Sequence, residues 1–214
     1  MADRLTPHYR FVAGATYPIA RFWGRMQVTG LDTLPESGPV LLCATHDSWW
    51  DTVTLAAAAR KRRQLHALAK AELWKNPIVG WVMNGMGQIP IERGKGDTAA
   101  LDRAIDGLRH GVAIGIFPEG TRSKGRELRA RSGIGRLAEA VPEATIVCVA
   151  VTGTVDVPRF PKRPRITVEF FRPSGGGLQP GESHAEFAAR LVAEMRAKAP
   201  AVAHGRRRRE AAAD

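Results

Sequence analysis

The chain's 214 residues, 44% hydrophobic and 25% charged, suit one globular domain that buries its core without a disulfide framework or a structural metal. Its 32 Lys and Arg against 21 Asp and Glu leave a formal net charge of +11, which favours a polyanionic partner (nucleic acid, anionic lipid or a phosphorylated small molecule) without choosing among them. No apolar run reaches the roughly 18 residues of a spanning helix, and no apolar core follows a charged head at the amino end. Neither a transmembrane segment nor a signal peptide is therefore expected, and any membrane contact is expected to be peripheral.

Residues 8–26 place Phe11, Ala15, Ile19, Phe22, Trp23 and Met26 at helical spacing, with Arg10, Arg21 and Arg25 between them. This predicts an N-terminal amphipathic helical segment, kinked or restarted at Pro18. A basic, aromatic helix of this kind can lie in a bilayer interface or pack on the protein's own core. A turn over residues 34–39 follows, and then the pattern alternates. Strands are predicted over 40–44, 65–69, 88–91, 112–117, 145–151 and 166–171. Helices are predicted over 52–60, over 72–86 with an interruption near Pro77, after an N-cap at Asp97, over 134–141, and from an N-cap at Ser183 to about residue 199. Cys43 and Cys148 fall in the apolar strands and read as small buried residues. Such alternation implies a single α/β domain with a largely parallel central sheet flanked by helices. The organisation expected is an amphipathic segment over 1–30, the main domain over 31–200, and a basic tail over 201–214 that carries Arg206, Arg207, Arg208 and Arg209.

Functional residues of such a fold gather where strands end. After the first strand comes Thr45-His46-Asp47-Ser48-Trp49-Trp50-Asp51. The H-x-x-x-x-D spacing lets the Asp51 carboxylate fold back onto one imidazole nitrogen of His46, fixing the tautomer and freeing the other nitrogen as a base. On spacing alone a capping Asp and a surface His are the more ordinary reading. The apolar run 112–116 ends in Phe117-Pro118-Glu119-Gly120-Thr121-Arg122-Ser123. Gly120 permits close backbone approach to a ligand, and the Arg122 guanidinium suits a phosphate. Glu119 is expected to pair with a basic neighbour or a substrate hydroxyl. Two further strand ends supply Arg93 and the small-residue turn at Thr152-Gly153-Thr154. Ser48 leaves open a Ser-His-Asp triad, and His46, Asp47 and Asp51 leave open a metal. A non-catalytic basic module accounts for the charge but not for these separate strand-end clusters, and no nucleic-acid-binding motif accompanies it.

In this order, the four segments resemble the motif blocks of the glycerolipid acyltransferase family over about residues 38–156. Phe117 to Ser123 and the H-x-x-x-x-D block are the most specific. The resemblance implies that His46 is the general base and Asp51 its orienting carboxylate. It further implies that Lys70, Arg93, Glu119, Gly120, Thr121 and Arg122 bind the phosphorylated acceptor. The implied reaction moves a fatty acyl group from acyl-CoA or acyl carrier protein to the hydroxyl of 1-acyl-glycerol-3-phosphate, a lysophospholipid, giving phosphatidic acid. The thioester is already activated, so no metal or other cofactor is implied. The expected setting is the anionic surface at the cytoplasmic face of a membrane, with no nucleic acid as partner. Thr45 stands where Asn is common in the family. Arg131-Ser132-Gly133 replaces a lysine-containing pattern, and Pro90 and Glu92 also depart from the third block. These departures bear on the acceptor more than on the reaction type.

Overall fold

The computed structural model describes residues 5–92, 97–161 and 163–202. Its strands are β1 (Gln27–Thr29), β2 (Val40–Ala44), β3 (His66–Lys70), β4 (Ile89–Ile91), β5 (Ala113–Ile116), β6 (Thr145–Thr152) and β7 (Thr167–Phe171). Its α-helices are α1 (Pro7–Pro18), α2 (Trp50–Ala59), α3 (Pro77–Gly85), α4 (Thr98–Arg109), α5 (Gly133–Ala140) and α6 (His184–Lys198). The strands form one sheet in the order β1-β7-β6-β2-β5-β3-β4. Every neighbouring pair is parallel except β6 with β7.

Strand alternation divides the core into two layers. Val40, Leu42 and Ala44 of β2 pack with Val147, Val149 and Val151 of β6 and with Leu55 and Ala58 of α2. On the other face, Leu41, Cys43, Ile146 and Cys148 meet Leu108 of α4, Leu137 of α5 and Leu191 of α6. Both faces are covered, so the central strands read as continuous apolar runs. Cys43 and Cys148 are register partners and free, buried thiols, with Sγ atoms 3.3 Å apart.

Two features of the sheet go beyond what the sequence specified. β1 is only Gln-Val-Thr, too short for a period to show, and it makes residues 27–29 an edge strand of the sheet rather than part of a separate amino-terminal segment. The chain into β7 reverses direction and pairs antiparallel with β6, which a strand's own composition does not reveal.

The amino-terminal helix stops at Pro18 and continues as a π-helical turn, Ile19–Trp23. One face of it joins the core, where Tyr9 and Ala13 pack on Ala56 and Met86. The opposite face leaves Phe11 and Phe22 exposed. Pro77 divides the 72–86 helix into a 3-10 segment, Ala71–Lys75, and α3, whose first N–H groups are capped by Asn76. The expected caps form as well: Asp97 accepts from the Ala100 N–H at 3.0 Å, and Ser183 with Glu186 closes a capping box.

β2 and β5 are neighbours at the sheet's centre, yet their chains leave for opposite faces, β2 toward α2 and β5 toward α5. A crevice opens between such diverging loops at the carboxyl ends of the strands.

Candidate active site

His46 follows β2 in that crevice. Its Nδ1 lies 3.2 Å from Asp51 Oδ2, so Asp51 accepts the Nδ1 proton and the Nε2 lone pair is left available. Among the described residues Nε2 has no hydrogen bond. The same Asp51 oxygen accepts from the N–H groups of Asp47 and Ser48, each at 2.7 Å. Its other oxygen accepts the hydroxyl of Thr154, from the turn after β6. A carboxylate engaged by four donors is immobile, and so is the imidazole it holds. The His46 ring also stacks on Phe117, with centroids 4.1 Å apart and planes 18° from parallel.

The 117–123 turn is fastened to the His46 turn. The His46 N–H donates to Glu119 Oε2 at 3.1 Å, and the Ser123 N–H donates to the His46 carbonyl at 2.8 Å. The Ser123 hydroxyl donates to Asp47 Oδ1. Glu119 is not presented to a substrate, because its carboxylate is also gripped by the Arg196 guanidinium at 2.6–2.8 Å. Burial pushes the Glu119 carboxyl above its usual range, against the pull of Arg196. The expected pairing with a basic neighbour is thus met by a residue 77 positions away, not by one in the motif.

Thr45 ties the site to the sheet, its hydroxyl accepting from the Val151 N–H at 3.0 Å. Ser48 is buried, and its hydroxyl accepts from the Trp50 N–H at 3.2 Å. That hydroxyl is engaged by the backbone and is not bonded to the imidazole, so the geometry is not that of a Ser-His-Asp triad. The donors around Asp51 occupy the lone pairs a metal would need, and among the described residues no cluster of three metal-ligating side chains forms.

Gly120 has φ +71°, and a Cβ there would come within 3.2 Å of the Arg131 side chain. Thr121 and Arg122 are exposed on the turn. Lys70, the last residue of β3, is half exposed and pairs with Glu72 at 3.1 Å. Arg93 lies outside the described residues, as do Arg206 to Arg209. Beside Gly120 a cleft of about 290 Å³ runs between Ile91, Leu101, Phe117 and the start of α5, where it is lined by Arg131 and Arg136. On the other side of Phe117 a small apolar pocket of about 40 Å³ lies among Tyr9, Leu55, Ala67 and Met86. The backbone N–H groups of His46 and Gly120 donate to Glu119 and to the Phe117 carbonyl.

Sequence reasoning missed Arg196 and Arg136 as parts of this region. Thr154 was named only within a small-residue strand-end turn, and Arg131 only as a departure from the family pattern, neither with the role seen here. Trp49 and Trp81 are exposed.

The family model described as Acyltransferase matches residues 25–152. A curated 1-acyl-sn-glycerol-3-phosphate acyltransferase of Bacillus subtilis is 30% identical over 115 residues, 54% of this chain and 57% of that protein. A lyso-ornithine lipid O-acyltransferase of Pseudomonas aeruginosa is 38% identical over 109 residues, 50% of this chain and 40% of that one. The matched span thus takes in about half the length of these relatives. The crystal structure of the 1-acyl-sn-glycerophosphate (LPA) acyltransferase PlsC of Thermotoga maritima shares the fold, with a TM-score of 0.60 over 91% of this chain and 93% of its own, at 20% identity.

Proposed function

The chain belongs to the acyltransferase family, and we propose that it moves a fatty acyl group from acyl-CoA or acyl carrier protein to the free hydroxyl of 1-acyl-glycerol-3-phosphate, forming phosphatidic acid. The observation that carries the reading is the His46–Asp51 pair at 3.2 Å, set beside a glycine turn bearing Arg122. Nε2 of His46 takes the proton of the acceptor hydroxyl as its oxygen attacks the thioester carbonyl carbon. The tetrahedral intermediate collapses, the C–S bond breaks, and the imidazolium returns the proton to the departing thiolate. Asp51 keeps its charge throughout and stabilises the imidazolium. A base so placed contributes roughly 10²–10⁴-fold. Arg122 and Lys70 hold the acceptor phosphate near Gly120 and Thr121, which brings its hydroxyl to His46.

The membrane is met at its surface. No helix among the described residues is long and apolar enough to cross one. Phe11 on α1 is 75% exposed and Trp81 on α3 is 65% exposed, and the two helices are joined through a His8–Trp81 ring contact with centroids 4.3 Å apart. With exposed Arg10, Arg21 and Lys75 nearby in the chain, this face suits an anionic bilayer interface on the cytoplasmic side.

Thiol release from acyl-CoA with lysophosphatidic acid, wild type against His46→Ala, tests the reading. Wild-type turnover that His46→Ala abolishes is the expected result. Wild-type turnover with lyso-ornithine lipid but not with lysophosphatidic acid would move the acceptor to that of the Pseudomonas relative and keep the chemistry.

A further inference from the structure

We propose that Arg196, on the last helix, is a positioning residue for acyl transfer, holding the His46 turn and the 117–123 turn in register through two carboxylates. The inference rests on the acyl-transfer reading of His46 and Asp51, and it concerns a helix outside the residues 25–152 that define the family match.

α6 is seated on the sheet by Phe187, Ala188, Leu191 and Met195, all buried. That anchorage delivers Arg196 from behind the catalytic loops. Its side chain is 11% exposed, and those of its partners Glu119 and Asp47 are 2% and 7% exposed. Nε donates to Glu119 Oε1 at 2.8 Å, and Nη2 donates to Oε1 at 2.6 Å and Oε2 at 2.7 Å. Nη1 donates to Asp47 Oδ2 at 3.1 Å and to the Ala199 carbonyl at 3.1 Å, and Nη2 lies 3.0 Å from Asp47 Oδ1. One planar fork thus spans acids from two different loops, which a lysine's point charge does not do.

Each acid passes the constraint to the base. Glu119 accepts the His46 N–H, and Asp47 is the next residue and accepts the Ser123 hydroxyl. Without Arg196 two buried carboxylates would face each other uncompensated, and burial already disfavours the charge on Glu119. Separation of the two acids, or protonation of one, lets the His46 backbone shift. A displacement of about 1 Å at a reacting group costs on the order of 10²-fold in rate.

The test uses the full chain in three variants, Arg196→Ala, Arg196→Lys and Glu119→Gln, with melting temperature, kcat and KM for both substrates. Arg196→Ala is expected to lose about 100-fold in kcat with both KM values within about twofold of wild type. Millimolar guanidinium is expected to restore about tenfold of that loss, and Arg196→Lys to retain about a tenth of wild-type kcat. NMR of the His46 imidazole gives a readout independent of turnover: the Nδ1 proton held by Asp51 is expected in wild type and Arg196→Lys and lost in Arg196→Ala. An Arg196→Ala protein that melts and turns over like wild type overturns the proposal, as does a loss carried by KM alone or one unmoved by guanidinium. If Arg196→Ala does not fold, Arg196→Lys and Glu119→Gln decide, and wild-type kcat in both overturns it. A wild-type chain that turns over no lysolipid refutes the acyl-transfer reading instead; the Nδ1 signal then judges the positioning, and its persistence in Arg196→Ala or Glu119→Gln refutes that too.

Discussion

Asp51→Asn isolates charge from geometry at the base. The amide is isosteric, and the N–H groups of Asp47 and Ser48, both 2.7 Å from Oδ2, require an oxygen at that position. The amide nitrogen is thereby directed to Thr154, whose hydroxyl can accept, and the Nδ1 proton of His46 still finds an oxygen. What vanishes is the negative charge 3.2 Å from an imidazole that becomes cationic in the transition state. At an effective dielectric of about 20 that attraction has a ceiling of about 5 kcal/mol, or nearly 10⁴ in rate. Solvent reaches the imidazole, which is 7% exposed, and it trims the ceiling to an expected loss of about 10³-fold in kcat. KM should stay within about threefold, since Asp51 binds neither substrate. The assay is continuous thiol release from acyl-CoA, with a thermal melt to confirm the fold. A well-folded Asp51→Asn protein losing less than about tenfold in kcat would refute the argument, because the carboxylate's charge would then not matter to the base.

Thr154→Val removes the hydroxyl that holds the second Asp51 oxygen; a hydrogen bond to a charged group is worth about 1.5–3 kcal/mol, so kcat is expected to fall about tenfold and the melting temperature by several degrees. Arg122→Ala and Lys70→Ala should each raise KM for lysophosphatidic acid at unchanged melting temperature, Arg122 by more than tenfold and Lys70 by less, since Lys70 already pairs with Glu72; equal effects on an uncharged acceptor would exclude a phosphate role. Joint replacement of Phe11 and Trp81 by serine removes two large exposed aromatics, and co-sedimentation with anionic vesicles should weaken by tenfold or more; unchanged binding would locate the membrane face elsewhere.

Most of the fold was legible because its signals are local. Six of the seven strands carry apolar runs or a clear boundary, and the caps at Asp97 and Ser183 are single-residue features that the backbone obeys. Three residues at β1 are too few for a period, and the reversal at β7 depends on how the 153–166 connection returns, which no window of sequence contains. The site divides the same way. His46 and Asp51 lie five residues apart, so their contact follows from one turn. Glu119 and Arg196 are 77 residues apart, and nothing near Arg196 distinguishes it from the other basic residues of a helix. Arg131 was visible only as a departure from a familial pattern; its place beside Gly120 depends on the path of the 120–131 loop.

The site's charge is sorted by the sheet's topology. Among the described residues, three carboxylates, Asp47, Asp51 and Glu119, stand around His46 against the guanidinium of Arg196. Beyond Phe117 the sign reverses, with Arg131 and Arg136 lining the cleft and Arg122 exposed on the adjoining turn. Phe117 separates the two regions, stacked on the imidazole and forming part of the cleft wall. Under the proposed function, a phosphorylated acceptor would be drawn toward the cationic side and repelled from the carboxylates, which would orient its neutral hydroxyl toward Nε2. The chain's overall positive charge is a poor guide to this arrangement, because the catalytic half of the site is locally acidic.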